Sequence, residues 1–407
     1  MADHAKSLPS LKGQPWLMDP VLQELLAALG TDKARIVGGA VRNALLGEPV
    51  EDVDIATVWP PHETMKWAAA AGFSVHPVAV EHGSVIVSRR GRAFEVTTLR
   101  RDVETDGRHA KVAFTADWEA DARRRDFTMN ALYADASGAL YDPVGGYGDL
   151  LARRVRFIGD AEERIREDYL RILRFFRFWA RYAKEPPEEE ALAACAARRE
   201  GLARISRERI QAEMQKLLPA PRALEALLFM GDAGVLGFIL PGCCARDFTA
   251  FMTMAKDDAA RGLKADWLLR LAALCGPCVE LKEAFRLSRA QAGRLEILAR
   301  AARGEVEDWR LFFYDYGGQA AQAAIRLLHA RGDMDETAFD VYLETARGWT
   351  RPDFPLRGKD LIAAGIAPGP RLGQILEETR RRWILDGFAP RKREELLQEA
   401  LRRAGEA

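Results

Sequence analysis

The stretch from Arg35 to Thr57 reads RIVGGAVRNALLGEPVEDVDIAT and predicts the start of a mixed α/β unit. The apolar run Ala34–Val37 is typical of a short strand that ends at a pair of glycines. Ala40–Leu46 predicts a helix, because Gly47 follows it at the position where a left-handed residue commonly ends a helix. Asp52–Thr57 then alternates with a period of two, as a strand does. Strand, turn, helix and strand therefore follow one another in close succession.

The same pattern continues through residues 1–150. A helix is predicted to begin at Pro61 and to run through Ala71. Three runs with strand character follow, separated by turns that contain glycine, and they are Val75–Val80, Ser84–Ser88 and Ala93–Leu99. Strands and one or two helices in this order predict a small mixed β-sheet with helices on one side.

The sequence changes character after Gly145 and Gly146. Strand alternation almost disappears, and Ala, Leu, Arg and Glu recur at helical spacing from about Leu151 onward. The strongest of these segments, Ala161–Tyr182, predicts one continuous helix. The predicted fold class is therefore α+β, with a head built on a small mixed sheet followed by an all-α remainder.

The composition excludes several classes of protein. The 407 residues are 48% hydrophobic and 29% charged, which is an ordinary globular balance and argues against a disordered, collagen-like or coiled-coil chain. No apolar run approaches the roughly 18 residues of a membrane span, and the first residues lack the apolar core of a signal peptide. The five cysteines are sparse, which predicts a reduced, cytoplasmic protein. Sixty basic residues balance sixty acidic ones, so only a local patch could indicate a nucleic-acid partner.

The central chemical feature is Asp52-Val53-Asp54. Residues two apart on a strand share a face, so both carboxylates are expected to point the same way. Adjacent carboxylates repel unless protons or cations neutralise them, and Mg²⁺ prefers such oxygen ligands together with nucleotide phosphates. Two such ions can activate an attacking hydroxyl and stabilise a leaving phosphate. A surface carboxylate pair without a ligand is the plainer interpretation of this motif by itself.

A second feature precedes the acidic pair. Gly38 and Gly39 lie where a strand ends and a helix opens, so their backbone can come close to a phosphate near the positive end of the helix. Arg42 on the first turn could add a charge-assisted contact. The alternative is a tight turn that requires glycine for its geometry.

Glu95 is a candidate third catalytic carboxylate. It lies on the face of its strand opposite Phe94 and Val96. A charged residue in an apolar strand commonly faces solvent. Its proximity to Asp52 and Asp54 depends on the strand order, which the sequence does not provide.

Residues 121–130 read DARRRDFTMN and form a charged cluster before an apolar residue. Arg125 could hold a triphosphate, and Asp126 could orient an arginine through a salt bridge. A solvated charged turn is the alternative.

Residues 167–178, EDYLRILRFFRF, suggest base recognition. On a helix, Asp168 and Arg171 would share a face, which Arg174 and Arg177 would continue. Asp168 can accept from the exocyclic amino group of cytosine or adenine, while Arg171 donates to the adjacent ring nitrogen. Uracil and guanine reverse that pattern and would leave groups unpaired, at a cost of about 1–3 kcal/mol each. An ordinary surface salt bridge is the alternative.

Together these motifs resemble the class II tRNA nucleotidyltransferases, the bacterial CCA-adding enzymes and their poly(A) polymerase relatives. The resemblance extends roughly from Arg35 to Leu218 and rests on RIVGGAVRNALLG, EDVDIAT, RRRDFTMNAL, YDPVGGYGDL, EDYLRILRFFRF and RISRERIQAEMQKLL. One departure is Asn43, where the family pattern usually has Asp. Asn loses the charge, which affects any salt bridge of that Asp but removes no metal ligand.

The resemblance implies a catalytic head at residues 1–150, a base-recognising neck at 151–220, a helical body at 221–290 and a tRNA-binding tail at 291–407. It implies attack of the tRNA 3′-hydroxyl on the α-phosphate of CTP or ATP, with release of pyrophosphate. The implied Mg²⁺ ligands are Asp52 and Asp54. The implied nucleotide-binding residues are Gly39, Arg42, Arg125, Asp168, Arg171, Arg174 and Arg177.

The sequence leaves other activities open. The long polar stretch Arg100–Trp118 favours full CCA addition, because a flexible loop of this kind helps CCA-adding members switch from C to A. The alternatives in the same family are a poly(A) polymerase and an enzyme that adds only CC or only A. A non-catalytic tRNA-binding protein is the alternative from another class, and the intact pair of Asp52 and Asp54 argues against it.

Overall fold

The computed structural model describes residues 8–105, 110–242, 247–390 and 393–405. It divides into two compact units, residues 1–239 and residues 240–407. In this described part of the chain, no helix is long and apolar enough to cross a membrane. The boundaries predicted at residues 150, 220 and 290 stay predictions.

The first unit contains the strands of the fold. They are β1 (Ala34–Val37), β2 (Asp54–Thr57), β3 (Ser74–Ala79), β4 (Ser84–Arg89), β5 (Arg92–Thr98), β6 (Arg100–Thr105), β7 (Ala110–Phe114), β8 (Tyr133–Ala134) and β9 (Leu140–Tyr141). A seven-stranded sheet has the order β3-β4-β5-β2-β1-β8-β9, while β6 and β7 form a separate antiparallel pair. Because β2 and β5 are parallel and the other pairs antiparallel, the predicted mixed sheet is confirmed.

Helices lie between the strands along the chain and predominate after β9. The first unit has α1 (Pro20–Leu29), α2 (Gly39–Leu46), α3 (Pro61–Ala70), α4 (Trp118–Arg123), α5 (Gly146–Leu151), α6 (Ala161–Glu167), α7 (Leu170–Tyr182), α8 (Glu189–Arg198), α9 (Arg207–Leu217), α10 (Ala223–Asp232) and α11 (Leu236–Ile239). Its 3₁₀ helices are Val80–His82, Thr128–Asn130 and Arg199–Arg204. The second unit has α12 (Phe248–Ala260), α13 (Trp267–Cys275), α14 (Glu280–Ala284), α15 (Arg289–Ala302), α16 (Trp309–Ala330), α17 (Glu336–Arg347), α18 (Gly358–Ala363), α19 (Pro370–Leu385) and α20 (Arg393–Gly405).

The strand–turn–helix at the start of the sheet forms as predicted. Gly38 turns the chain with φ 70° and ψ −116°, a conformation that favours glycine, and α2 ends at Gly47 in the left-handed region. The second strand is shorter than predicted, since β2 begins at Asp54 and Asp52 precedes it. The reason is that β1 ends at Val37, the residue that pairs with Asp54, so the preceding residues find no partner on β1.

The prediction of one helix over Ala161–Tyr182 is wrong. The chain leaves the helical conformation at Asp168, with φ −153° and ψ 106°, which separates α6 from α7. The Asp168 carboxylate accepts a hydrogen bond from the Leu170 N–H at 3.1 Å. A short acidic side chain that bonds the backbone in this way competes with helix continuation and starts a new helix instead.

The polar stretch Arg100–Trp118 contains the β6–β7 pair, with Arg100 opposite Phe114. The predicted flexible loop falls partly on residues 106–109, which lie outside the described residues.

Aromatic rings join the head of the first unit to its helical part. Phe127 lies between α4 and β8, Phe157 lies between α5 and α6, and Phe175 and Phe178 lie on α7. The rings of Phe157 and Phe175 stack with centroids 5.3 Å apart, and Phe127 lies 5.2 Å from Phe178. All four rings are buried, so α7 shares its core with the head.

The second unit has its own core and a buried ionic cluster. One apolar cluster of this unit is formed by Leu311, Tyr314, Leu356, Leu361, Ile375, Trp383, Ile384, Leu396 and Ala400. Separately, the buried Asp258 forms ion pairs with Arg270, at 3.1 Å, and with Arg326. Helix packing around apolar and ionic groups thus stabilises this unit without a sheet.

Replacing Phe175 tests the shared core. The ring is 0% exposed, so Phe175→Ala should lower the free energy of unfolding by about 3–5 kcal/mol. The measurement is urea unfolding followed by circular dichroism. Leu151→Ala is the control, because that side chain is 59% exposed, and its effect should stay within about 0.5 kcal/mol. Equal effects of both variants would contradict the shared core.

Candidate active site

Carboxylates gather at one end of the parallel pair β2–β5. Asp54 and Glu95 are register partners on these adjacent strands, and both are exposed. Asp52 is exposed as well, while Val53 between the two aspartates is buried. The pKa of Asp54 is raised above its ordinary value, first because its carboxylate is partly desolvated and then because Glu95 and Asp52 repel its charge. The strand order that the sequence could not provide therefore places Glu95 beside the acidic pair.

This acidic edge suits a cation that shares its ligands with a substrate. In the described residues, no group of three or more His, Cys, Asp or Glu side chains lies close enough to hold a metal ion by itself. Mg²⁺ is commonly bound by one or two carboxylates, with water and substrate phosphates completing the shell. Asp52 and Asp54 supply the donor type and number that this mode needs.

The guanidinium group of Arg42 is held by hydrogen bonds to the side chains of Asn43 and Asn130. Its guanidinium is 8% exposed and donates from Nη1 to Asn130 Oδ1 at 2.6 Å. It also donates from Nε and Nη2 to Asn43 Oδ1, at 3.2 and 3.0 Å. Burial lowers its pKa, although the nearby Tyr182, Asp126 and Glu48 oppose that shift. Asn43 therefore orients Arg42 by hydrogen bonds, without the charge that an aspartate would bring.

Asp121 orients two arginines toward the same region. Its carboxylate is 1% exposed, and it bonds Arg124 Nη2 at 2.6 Å, Arg125 Nη2 at 3.0 Å and the Tyr133 hydroxyl at 2.8 Å. Burial alone would raise its pKa, but Arg125, Arg124 and the Tyr133 hydroxyl lower the pKa of Asp121 to about 2. Arg125 Nη1 lies 3.9 Å from the point where a Cβ on Gly38 would be. Arg125 and the glycine turn therefore face each other.

Asp126 forms the salt bridge that its sequence context suggested, and the partner is Arg174. Arg174 Nε donates to Asp126 Oδ2 at 2.7 Å, and Asn130 Nδ2 donates to Oδ1 at 3.0 Å. Against the raising effect of burial, Arg174 and Asn130 lower the pKa of Asp126 to about 2. An ionised carboxylate of the head thus holds an arginine of α7.

Asp168 and Arg171 lie in the same region, and each side chain binds a different partner instead of forming an i, i+3 pair on a helix. Asp168 Oδ2 accepts from Arg209 Nη2 at 2.7 Å. Arg171 forms an ion pair with Glu167, and its Nη1 and Nη2 donate to the carbonyls of Arg164 and Arg124, each at 2.8 Å. The alternative interpretation was a surface salt bridge between Asp168 and Arg171. The two side chains bind these separate partners instead.

A cavity of about 420 Å³ joins these groups. Its lining residues are Gly38, Gly39, Arg42, Asp54, Arg124, Arg125, Asp126, Asn130, Asp168, Leu170, Arg171, Arg174, Phe178 and Arg209. Within the described lining, Asp52, Glu95 and Arg177 do not occur. Arg177 Nε instead lies 3.1 Å from Glu213 Oε2, and burial lowers the pKa of Arg177 although Glu213 opposes that shift. One cavity therefore contains the glycine turn, Asp54 of the acidic edge and the pair Asp168 and Arg171.

The sequence did not single out several of these lining residues. Arg209 lies on α9, four residues before the buried Glu213, and this helical spacing of opposite charges is the signal that could have found it. Asn130 lies within the charged cluster DARRRDFTMN, and its neighbours gave no sign that its amide would bridge Arg42 and Asp126.

Comparison with known proteins gives family matches over the same regions. Residues 34–156 match the family described as poly A polymerase head domain, and residues 186–246 match a probable RNA and SrmB-binding site of polymerase A. A CCA-adding enzyme of Streptococcus sanguinis is 36% identical over 386 residues, which cover 91% of this chain and 93% of that protein. The mitochondrial CCA tRNA nucleotidyltransferase 1 of Danio rerio is 35% identical over 377 residues, which cover 86% and 83%.

A solved structure agrees with the fold as well. The crystal structure of the Bacillus stearothermophilus CCA-adding enzyme in complex with CTP superposes with a TM-score of 0.77 at 29% identity, covering 96% of this chain and 100% of that one. The α+β fold class is confirmed by this agreement. With relatives of more than a third identity matched over most of both chains, the protein belongs to the class II CCA-adding nucleotidyltransferase family.

Proposed function

We propose that this protein adds C, C and A to the 3′ end of tRNA from CTP and ATP, without a nucleic-acid template. The observation that carries this function is the single cavity in which Asp54 of the sheet faces Asp168 and Arg171 of the neck. Such a cavity unites a group for metal-assisted chemistry with groups that can recognise a base. The relatives named above are CCA-adding enzymes, and the matches cover 83% and 93% of their lengths. This similarity supports the same activity.

The reaction is attack of the tRNA 3′-hydroxyl on the α-phosphate, with pyrophosphate as the leaving group. Asp52 and Asp54 would hold Mg²⁺, which when bound activates the hydroxyl and stabilises charge on the leaving phosphate. Glu95 stands in register with Asp54 and adds a further negative charge to this edge, so we assign it a supporting role. The carboxylates thereby define where the α-phosphate must lie.

The proposed binding site for the triphosphate lies beside the carboxylates. Gly38 and Gly39 expose backbone at the start of α2. Arg42 and Arg125 flank that turn, and they are oriented by hydrogen bonds to Asn43 and Asp121, respectively. Cationic groups that are already oriented lose little on binding and can stabilise negative charge as it develops. Arg174 extends this surface from α7, and Arg177, bound to Glu213, supports it from outside the cavity lining.

Base selection is assigned to Asp168 and Arg171. Each carboxylate oxygen has two acceptor sites, so Asp168 can receive an exocyclic amino group while still bound to Leu170 and Arg209. Arg171 lies in the same cavity and donates to the neighbouring ring nitrogen. C and A fit this donor–acceptor pattern, whereas U and G do not.

Poly(A) synthesis and partial CC or A addition are the second candidates in the family, since all of them use the same head. A non-catalytic tRNA-binding role is disfavoured by the exposed acidic edge of Asp52, Asp54 and Glu95. We also propose a cytoplasmic location from the sparse cysteines, which subcellular fractionation would test against the mitochondrial location named for the Danio rerio relative.

The products formed on tRNA separate these activities. The full chain is incubated with tRNA that lacks its CCA end and with each labelled nucleotide, alone and combined. We expect addition of C, C and A and then a stop, resolved on a sequencing gel. An open-ended A ladder would show a poly(A) polymerase, and binding without extension would show a tRNA-binding protein.

Asp54→Ala tests the acidic edge. It should reduce incorporation of both C and A by about 10³-fold or more, because the pair loses one metal-binding carboxylate. Affinity for tRNA, measured by filter binding, should stay nearly unchanged. Glu51→Ala is the matched control, since it removes a nearby exposed carboxylate and should leave turnover intact. Normal turnover of Asp54→Ala would remove the metal assignment.

A double variant, Asp168→Ala with Arg171→Ala, tests base selection. The ratio of kcat/KM for CTP over UTP should fall by about tenfold or more, because the unpaired groups that penalise U disappear. The matched control is Arg166→Ala on the adjacent α6, an exposed arginine paired with Glu162. Unchanged rejection of UTP and GTP would rule out the assignment to these two residues.

A further inference from the structure

Tyr169 makes an unusually close approach to the backbone of Gly201. Tyr169 is the residue between Asp168 and the start of α7, and Gly201 lies in the 3₁₀ helix Arg199–Arg204. A Cβ on Gly201 would lie 2.0 Å from Cδ1 and 2.3 Å from Cε1 of the Tyr169 ring. The φ of Gly201 is outside the left-handed region, so the close contact, and not the backbone conformation, requires glycine here.

The backbone at Asp168 depends on such contacts because it belongs to neither helix. Its φ of −153° and ψ of 106° are extended, so helical hydrogen bonds do not fix its orientation. The carboxylate is held by the Leu170 N–H at 3.1 Å and by Arg209 Nη2 at 2.7 Å. The next residue in the chain, Tyr169, rests its ring on Gly201. Because one peptide bond joins Tyr169 to Asp168, a shift of the Tyr169 backbone would also move Asp168.

We infer that the Tyr169–Gly201 contact is a positioning contact for base selection, which holds Asp168 at the depth in the cavity where it can read a base. This inference rests on the proposed role of Asp168. A methyl group on Gly201 would push the ring by about 1.4 Å before ordinary contact is restored. Misplacement of a recognition group by about 1 Å can cost up to about 10²-fold in rate. Tyr169 and Gly201 therefore influence which nucleotide is accepted without touching it.

The surroundings allow the ring to move without unfolding the chain. A separate cavity of about 290 Å³ lies beside the contact, and it is lined by Tyr169, Ala197, Arg198, Glu200, Gly201 and Arg204. The Arg204 guanidinium lies 5.7 Å from the centre of the ring. A displaced ring therefore has open space, and we expect Gly201→Ala to fold with a shifted Asp168.

The experiment compares nucleotide selectivity of Gly201→Ala with that of the natural protein. The ratios of kcat/KM for CTP over UTP and for ATP over GTP are measured on tRNA substrates by single-nucleotide incorporation. We expect both ratios to fall by about tenfold, as the hydrogen-bond pattern at Asp168 loosens. Gly237→Ala is the matched control, because Gly237 is an exposed helical glycine of the same unit with no atom within 4 Å of its added Cβ. Unchanged selectivity of Gly201→Ala would overturn the inference.

Variants of Tyr169 test the same contact if Gly201→Ala folds poorly. Tyr169→Ala should lower the same ratios, whereas Tyr169→Phe, which keeps the ring on Gly201, should retain them. Adding Gly201→Ala to Tyr169→Ala should cause little further change, because residues in direct contact show non-additive effects. Additive losses, or a loss in Tyr169→Phe as large as in Tyr169→Ala, would contradict the contact.

The test also separates this inference from the function on which it rests. If Asp168→Ala relaxes base choice and Gly201→Ala does not, the positioning contact alone is wrong. If Asp168→Ala leaves base choice unchanged while the protein still adds C, C and A, the assignment to Asp168 fails and the inference fails with it.

Discussion

The ion pair between Asp126 and Arg174 is the interaction on which the site depends. It connects the head to α7, and hydrogen bonds extend it through Asn130 to Arg42. Arg42 then bonds Asn43, whose Oδ1 also accepts from the hydroxyl of Tyr182 at 3.3 Å, so the network returns to α7. Removing Arg174 would leave the buried Asp126 carboxylate without its cationic partner, which is destabilising. Together with the shared aromatic core, this closed network holds in place the two parts of the first unit that line the cavity.

Most of the arginines around the cavity have carboxylate partners of their own, whereas Arg42 is held by the amide groups of Asn43 and Asn130. Asp121 holds Arg124 and Arg125, Asp126 holds Arg174, and Glu167 holds Arg171. These partners fix the guanidinium groups in place before a nucleotide arrives, which limits the reorganisation needed when phosphate charge develops.

Local signals predicted the parts of the fold that depend on nearby residues. The glycine turn, α2 and the strands β1 to β5 followed from period and turn residues, because those preferences act over short distances, whereas β6 to β9 were not predicted. The position of Glu95 opposite Asp54 could not be predicted, since it depends on the parallel pairing of β2 with β5. The partnership of Arg209 with Asp168 spans 41 residues and likewise depends on tertiary packing.

The break at Asp168 shows how a wrong local prediction can coincide with a residue that lines the candidate active site. Helical periodicity continues through residues 161–182, and an uninterrupted helix would have satisfied it. The structure instead uses the Asp168 carboxylate to bond Leu170 and Arg209 at the break. In the extended conformation the carboxylate is held by Arg209 of α9 and by the Leu170 N–H, and not by the helix register. Asp168 can therefore be aligned with a ligand independently of Arg171. Such independence suits recognition of a base through two separate hydrogen bonds.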